Sequence, residues 1–325
     1  MSLENFGLKQ LQDMVLSGET RQASWRRKQL NNLTNLLENH QQEILNALSE
    51  DLRKPPTEAF FEIIAIKQEI KLAQKNLTNW MKAKRINVPV SLRPAKAFIQ
   101  PEPLGCILII GPWNYPFSLT LQPLAGAFAA GNTAVLKPSE HAPVVSSLIK
   151  KLIEKYFQPN IAQVIEGDGN IAAALMTQKF DHVFFTGGES IGKKVMEAAA
   201  KNLTPVTLEL GGKSPAIVID GANIEVTARR IIWGKSLNAG QTCIAPDHLL
   251  VENKLFDSLI SNLKASINDF YGNNPLGSKH LGSIINQNQF NRLNNLLNQA
   301  KNNGQIIYGG ECNESDKRIG PTLIK

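Results

Sequence analysis

The chain has 325 residues, 42% of them hydrophobic, and a formal net charge of +7 at pH 7. That length suits two domains rather than one small core, and the composition excludes a disordered chain. The longest apolar runs, such as Cys106-Ile107-Leu108-Ile109-Ile110, are strand-length and far short of a membrane span, and Met1-Ser2-Leu3-Glu4-Asn5 has no basic segment leading into an apolar one, so secretion is not expected.

Residues 8–84 read as helical. Leu30, Leu33, Leu36 and Leu37, then Ile44, Leu45 and Leu48, form an apolar stripe at helical period. Pro55-Pro56 breaks it, and a second long helix runs through Phe60, Ile63, Ile64, Ile66, Ile70 and Leu77, ending before Pro89. No nucleotide motif lies here, so residues 1–84 are expected to form a helical layer on the next domain.

From residue 97 short apolar strands alternate with helices. Strands are expected at 105–110, 133–136, 161–165, 181–185 and 205–209, and helices at 117–130, 142–157, 169–177 and 189–201. The expected fold class is therefore α/β: a doubly wound, Rossmann-like parallel sheet over 85–209 with the amino-terminal helical layer. Such sheets bind ligands at the carboxyl ends of their strands. Trp113 and Asn114, Lys137, and Thr186-Gly187-Gly188 each follow a strand and would line that edge. A second βα series occupies 210–325: strand 215–219, helix 223–238, a loop bearing Cys243, strand 248–252 and helix 254–270. The Asn- and Gln-rich stretch 286–303 still allows a helix through Leu293, Leu296 and Leu297, and a last strand is expected around 322–324.

Three cysteines, Cys106, Cys243 and Cys312, make neither a disulfide framework nor a zinc spacing, and a reduced, cytoplasmic compartment fits them. The five histidines are scattered, and no metal site is expected. Basic residues cluster at Arg26, Arg27 and Lys28 and again at Lys82, Lys84, Arg85, Arg93 and Lys96; these read as solvated helical faces rather than a nucleic-acid surface. Membrane association is left without support.

Two residues carry the chemistry. Cys243, in Gly240-Gln241-Thr242-Cys243, is a potential nucleophile, and Glu209, in Leu208-Glu209-Leu210-Gly211-Gly212-Lys213, a potential base. Read alone, each leaves a plain alternative: a structural buried cysteine, and a strand-end carboxylate in water. Asn114 could be turn chemistry and Lys137 a surface lysine. Gly187-Gly188-Glu189-Ser190-Ile191-Gly192 has the spacing G-G-x-x-x-G, not G-x-G-x-x-G; it is a weak phosphate signal that simple helix capping would also explain.

Taken together and in order, Pro112-Trp113-Asn114-Tyr115-Pro116, Lys137-Pro138-Ser139-Glu140, the glycine turn, the Glu209 segment and the Cys243 segment resemble the aldehyde dehydrogenases, most closely the class 3, fatty-aldehyde branch. The resemblance runs to the last residue, beyond which the family normally continues, so the 210–325 catalytic domain is expected to be incomplete. It implies NAD(P)-dependent oxidation of an aldehyde to a carboxylic acid, on medium- or long-chain aliphatic or aromatic aldehydes. The Cys243 thiolate would add to the carbonyl to form a thiohemiacetal, whose carbon would pass a hydride to the nicotinamide and leave a thioester, which Glu209 would help water to cleave. Asn114 and the Cys243 backbone N–H would stabilise the oxyanion. Trp113, Lys137, Glu140, Thr186, Gly187, Gly188, Ile191, Gly192 and Leu210 would bind the cofactor, with Glu140 at the adenosine ribose. A carboxylate there disfavours a 2′-phosphate, so NAD is expected, with NADP open because class 3 relatives can use both. A partly desolvated Glu209 would have the raised pKa its role requires. A homodimer is expected for a full-length form. A CoA-acylating relative and an inactive nucleotide-binding fragment are the alternatives; a water-activating Glu209 weighs against the first.

Overall fold

A computed structural model describes residues 6–325; Met1–Asn5, on which the reading against a leader rests, lie outside the described residues. The chain forms two compact units, one of residues 1–42, 62–140 and 146–209, the other of 43–61, 141–145 and 210–325. The sequence reading kept all of 1–84 with the cofactor domain. The structure groups 43–61 with 210–325, for a local reason: Ser283 N donates to Leu52 O (3.0 Å), and the Arg53 guanidinium meets Asp316 Oδ1 (2.7 Å).

The helical region is four helices rather than two: α1 (Leu8–Leu16), α2 (Ala23–Asn39), α3 (Gln41–Leu52) and α4 (Pro56–Trp80). Leu30, Leu33, Leu36 and Leu37 of α2 are fully buried, as the helical stripe requires. Arg26 corrects the expectation of a solvated basic face. It is buried, and its guanidinium donates to Thr20 O (3.0 Å) and Ala129 O (3.1 Å), backbone acceptors that offset its desolvation. The second basic cluster also differs from a helical face. After α4 ends, β1 (Lys84–Ile86) and β2 (Ala97–Ile99) form an exposed antiparallel ribbon with Lys84 opposite Ile99.

The first unit centres on a five-stranded parallel sheet. It is made of β3 (Cys106–Ile110), β4 (Thr133–Lys137), β5 (Ala162–Val164), β6 (His182–Thr186) and β7 (Val206–Glu209), in spatial order β5-β4-β3-β6-β7. The crossovers are α5 (Ser118–Ala130), α6 (Pro143–Tyr156), α7 (Gly169–Leu175) and α8 (Glu189–Ala200). Every residue of β3 and β4 is buried, which is why these strands read as unbroken apolar runs. The chain winds outward from β3 through β4 and β5, then restarts on the other side with β6 and β7. This reversal is the place where open α/β sheets leave a crevice at their carboxyl edge.

The second unit holds the parallel pair β8 (Pro215–Val218) and β9 (His248–Val251), with Pro215 opposite His248. Helices α9 (Ile224–Ser236) and α10 (Phe256–Tyr271) pack around a core of Val218, Ala228, Ile232, Leu259, Leu263 and Ile267. Helix α11 (Gln287–Asn302) fills the Asn- and Gln-rich stretch, capped by the Asn286 side chain on Gln289 N (2.9 Å). Short strands β10 (Ile306–Tyr308), β11 (Cys312–Asn313), β12 (Arg318–Ile319) and β13 (Leu323–Ile324) pair β10 with β13 and β11 with β12. Among the described residues no helix is long and apolar enough to cross a membrane.

Candidate active site

Strand register carries the first unit's candidate residues to one edge. In the ladder Ile110 lies opposite both Lys137 and Phe185, and Thr186 lies opposite Glu209. Two loop amides extend the ladder by one rung: Gly111 N donates to Lys137 O (3.0 Å) and Gly187 N to Glu209 O (3.0 Å). Trp113 and Asn114 follow in the turn after β3, both half-buried. Lys137, Thr186, Glu209 and the Asn114 turn thus leave the carboxyl ends of neighbouring parallel strands.

Lys137 is not a surface lysine. It is 2% exposed, and its ammonium meets Glu140 Oε2 at 2.7 Å, while Glu140 itself is partly exposed. A buried cation held by one carboxylate at the end of a strand can offer its remaining donors to polar groups nearby. The same charge helps to hold the Asp168 carboxyl below its ordinary range. The larger causes there are the Ile171 and Asn170 amides that Asp168 accepts as the cap of α7.

The glycine turn divides into two unlike positions. A Cβ on Gly187 would lie 2.5 Å from Cζ of Phe185, whose ring is buried and has no room to withdraw. A Cβ on Gly188 would meet nothing within 4 Å. Gly188 starts α8 with no side-chain cap, and its carbonyl accepts from Ile191 N (3.2 Å) and Gly192 N (2.9 Å). The first amides of α8 therefore have no intrahelical acceptor and no side chain capping them, the arrangement that receives phosphate oxygens. Ile191 is exposed and Gly192 buried. Gly187→Ala is expected to lower the melting temperature, at a cost of about 1–3 kcal/mol from overpacking. Gly188→Ala is expected to change stability by less than about 0.5 kcal/mol. A pair of thermal melts compares the two.

Glu209 corrects the expectation of desolvation: its side chain is exposed at the end of β7. Leu210, half-buried, opens the second unit.

In the second unit the cysteine follows a strained turn. Asn238, Ala239 and Gly240 have φ of 55°, 53° and 80°, three successive left-handed residues of which only the last is glycine. Each non-glycine there costs on the order of 1–2 kcal/mol. Hydrogen bonds hold the turn. Asn238 N donates to Glu58 Oε2 (2.7 Å), and Gln241 Nε2 donates to Asn238 O (2.9 Å) and Ser283 O (3.0 Å). Gln241 Oε1 accepts from Ile285 N (3.0 Å), and Thr242 Oγ1 donates to Leu237 O (3.4 Å). Cys243 then stands exposed, followed by exposed Ile244 and buried Ala245. Gly212 passes beside it, since a Cβ there would lie 2.9 Å from the Cys243 carbonyl oxygen.

The other thiols differ. Cys106 is buried in β3, and burial pushes its thiol far up, so it stays protonated and inert. Cys312 is exposed on β11, with its sulfur 3.5 Å from Asn294 Oδ1. Among the described residues no group of three or more His, Cys, Asp or Glu side chains could hold a metal ion.

Sequence reading missed two supporting carboxylates. Glu62, 1% exposed, accepts from Phe117 N (3.1 Å) and Ser118 N (2.9 Å), capping α5 just after the Asn114 turn. Glu58 grips Asn238, as above. Both lie on amphipathic α4, where a polar residue at the edge of the apolar stripe looks like any solvent-facing one.

Residues 17–325 match the family model described as the aldehyde dehydrogenase family. The chain belongs to the aldehyde dehydrogenase family. Among curated aldehyde dehydrogenases it is 47% identical to the 4,4′-diaponeurosporen-aldehyde dehydrogenase of Staphylococcus aureus, over 94% of this chain and 66% of that protein. To aldehyde dehydrogenase family 3 member H1 of Arabidopsis thaliana it is 45% identical, over 94% of this chain and 64% of that protein. The solved structure of the substrate-bound state of Staphylococcus aureus AldH superposes with a TM-score of 0.94 at 43% identity, covering 100% of this chain and 70% of that one. The class 3 resemblance and the aldehyde dehydrogenase fold are thereby shown. The chain spans about two thirds of the length of the curated relatives it matches.

Proposed function

We propose that this chain provides the cofactor-binding and nucleophile-bearing parts of an NAD(P)-dependent aldehyde dehydrogenase that converts aldehydes to carboxylic acids. The observation that carries the reading is Cys243: an exposed thiol at the end of a left-handed turn clamped by Glu58 and Gln241. Runs of strained backbone of this kind cluster at functional sites.

The first unit's residues fit a dinucleotide. The uncapped start of α8 would receive its pyrophosphate, with Gly187 and Gly188 keeping the backbone open and Ile191 and Gly192 continuing the turn. Lys137 and Glu140 would hold its adenosine ribose, and Trp113, Thr186 and Leu210 would contact it nearby. When bound, the cofactor would supply a hydride acceptor, taking the hydrogen and both electrons of the former aldehyde C–H bond. The chain's own residues do the rest. The Cys243 thiolate attacks the carbonyl carbon, and the Asn114 side-chain NH2 donates to the oxygen as it becomes negative; such donors are worth about 2.7–4 kcal/mol in a transition state. Oxidation leaves a thioester on Cys243. Glu209 then takes a proton from water, the hydroxyl adds to the acyl carbon, and the acid departs as the sulfur regains its lone pair. Exposure leaves Glu209 open to the water it would activate.

The class 3 resemblance supports medium- or long-chain aliphatic, or aromatic, aldehydes as substrates and a homodimer as the assembly. A reducing cytoplasm suits a thiol that must stay free. Initial rates with NAD on a panel of aliphatic and aromatic aldehydes, with the acid product identified, test the reading. Acyl-CoA formed only when CoA is present, or no product from any aldehyde, would overturn it.

Glu140 makes a cofactor prediction. Its carboxylate would repel a 2′-phosphate, though its exposure and its partner Lys137 discount the repulsion. Glu140→Gln should raise the NADP-to-NAD ratio of kcat/KM by about threefold to tenfold, on the scale of 1 kcal/mol for a part-exposed charge. An unchanged ratio would remove Glu140 from cofactor selection.

A further inference from the structure

We propose that Glu58 is a positioning residue for Cys243: its carboxylate, accepting from the Asn238 amide, holds the left-handed turn Asn238–Gly240 and so sets where the thiol stands. The proposal rests on the oxidation chemistry inferred above, but its geometry is that of the second unit alone.

The turn needs an outside acceptor. Asn238 is 3% exposed, and its N–H points to Glu58 Oε2 at 2.7 Å, the distance of a charge-assisted bond. Loss of that acceptor would remove a charge-assisted bond from a position where the backbone is already strained. The rest of the turn is tied to its own chain through Gln241, whose amide reaches Asn238 O, Ser283 O and Ile285 N. Glu58 grips the entrance to the turn and Gln241 its exit, with Cys243 two residues beyond.

The surroundings of Glu58 point to a designed anchor. Lys54, 1% exposed and among the largest fully buried side chains, lowers the Glu58 pKa by its charge. Burial and the Glu58 charge push the hydroxyl of Tyr271 on α10 up, opposed by its bond to Ser236 at the end of α9. Burial still pushes the Glu58 carboxyl up overall, with the Asn238 amide and Lys54 opposing it. A polar group kept here against desolvation must return something in fixed geometry. What it fixes is the segment that carries Cys243 out of a strained turn.

Two variants test this. Glu58→Gln keeps a carbonyl acceptor at the same reach, whereas Glu58→Ala removes it. Backbone amide hydrogen exchange is read first because it needs no activity. In Glu58→Ala, the peptide spanning 238–245 should exchange about tenfold faster, the scale of one lost charge-assisted bond. Peptides from β8 and α10 should stay at wild-type rates, and Glu58→Gln should stay within about threefold of wild type throughout. Pre-steady-state NADH formation is read second. Read in the Glu209→Gln background, where slow deacylation leaves a full burst, Glu58→Ala should slow the burst rate constant by about tenfold to a hundredfold at unchanged amplitude and unchanged NAD affinity, as misplacement of a reacting group does. Glu58→Gln should recover most of that rate. A smaller amplitude at an unchanged rate constant would mean fewer folded molecules and would overturn positioning. So would wild-type exchange over 238–245 in Glu58→Ala, or equal acceleration in β8 and α10. If wild-type protein oxidises no aldehyde, the oxidation reading fails, and the exchange arm still decides whether Glu58 holds the turn.

Discussion

Cys243→Ala is expected to abolish aldehyde-dependent NADH formation, by roughly 10⁴-fold or more, the order seen when the nucleophile of a covalent mechanism is lost. NAD affinity should stay within about twofold of wild type, because every contact assigned to the cofactor lies on other residues. Structure gives a reason to expect a clean variant. The Cys243 side chain is exposed, and the turn before it is held by Glu58 and Gln241, not by the sulfur. Alanine therefore removes the thiol without opening a cavity. Cys106 cannot substitute: it is buried within β3 with its thiol pushed far up. Steady-state rates beside NAD titration by fluorescence check the outcome, and turnover above about 1% of wild type would end the assignment.

Glu209→Gln is the second large effect, and its signature is kinetic. The variant keeps size and shape but cannot accept a proton from water. A first turnover should proceed at close to the wild-type rate, followed by a steady state slower by about 10²–10⁴, the usual worth of general base catalysis. Rapid mixing should show a burst of NADH near one equivalent per active site. Glu209 ends β7, opposite Thr186 in the ladder, with its carbonyl taken by Gly187 N. Its backbone is thus fixed by the sheet while the side chain stays exposed, so the amide should leave the fold intact. If burst and steady state fell together, Glu209 would not act specifically on the thioester.

Much of the five-stranded parallel sheet was legible because its strands are short and apolar, with β3 and β4 wholly buried. Expected strands at 105–110, 133–136, 181–185 and 205–209 agree with β3, β4, β6 and β7 to within a residue at each end. Burial on both faces leaves few residue types that fit, and the flanking Gly and Pro mark the ends. Ribbon β1/β2 was missed for the opposite reason. Its strands are three residues each and almost wholly exposed, basic in β1 and apolar in β2, so no alternation of buried and polar positions marks them. The split of the helical layer at His40 was also missed, since the apolar stripe passes through α2 and α3 alike.

The candidate site divides along the same line. Cys243, Glu209, Asn114 and Lys137 stand in motifs that have recognisable neighbours. Lys137 was read with a surface alternative because a lone Lys after a strand carries no sign of burial; only the packed structure shows it sealed against Glu140. Glu58 and Glu62 could not be found from sequence. Their roles depend on backbone amides at Asn238, Phe117 and Ser118, which are far away in the chain and carry no side-chain signal. The left-handed turn was equally hidden, since Ala239 is a residue type that rarely adopts it.

The central claim is that Cys243 carries the acyl group, and it can be read directly. Protein with Glu209→Gln, NAD and a medium-chain aldehyde, quenched in acid within the first turnover and digested, should show one new mass by peptide mass spectrometry. The account predicts an acyl adduct on the peptide containing Cys243, near one equivalent, absent without NAD and absent in the Cys243→Ala double variant. Carboxylic acid formed with no adduct on that peptide, or an adduct on the Cys312 peptide instead, would contradict it.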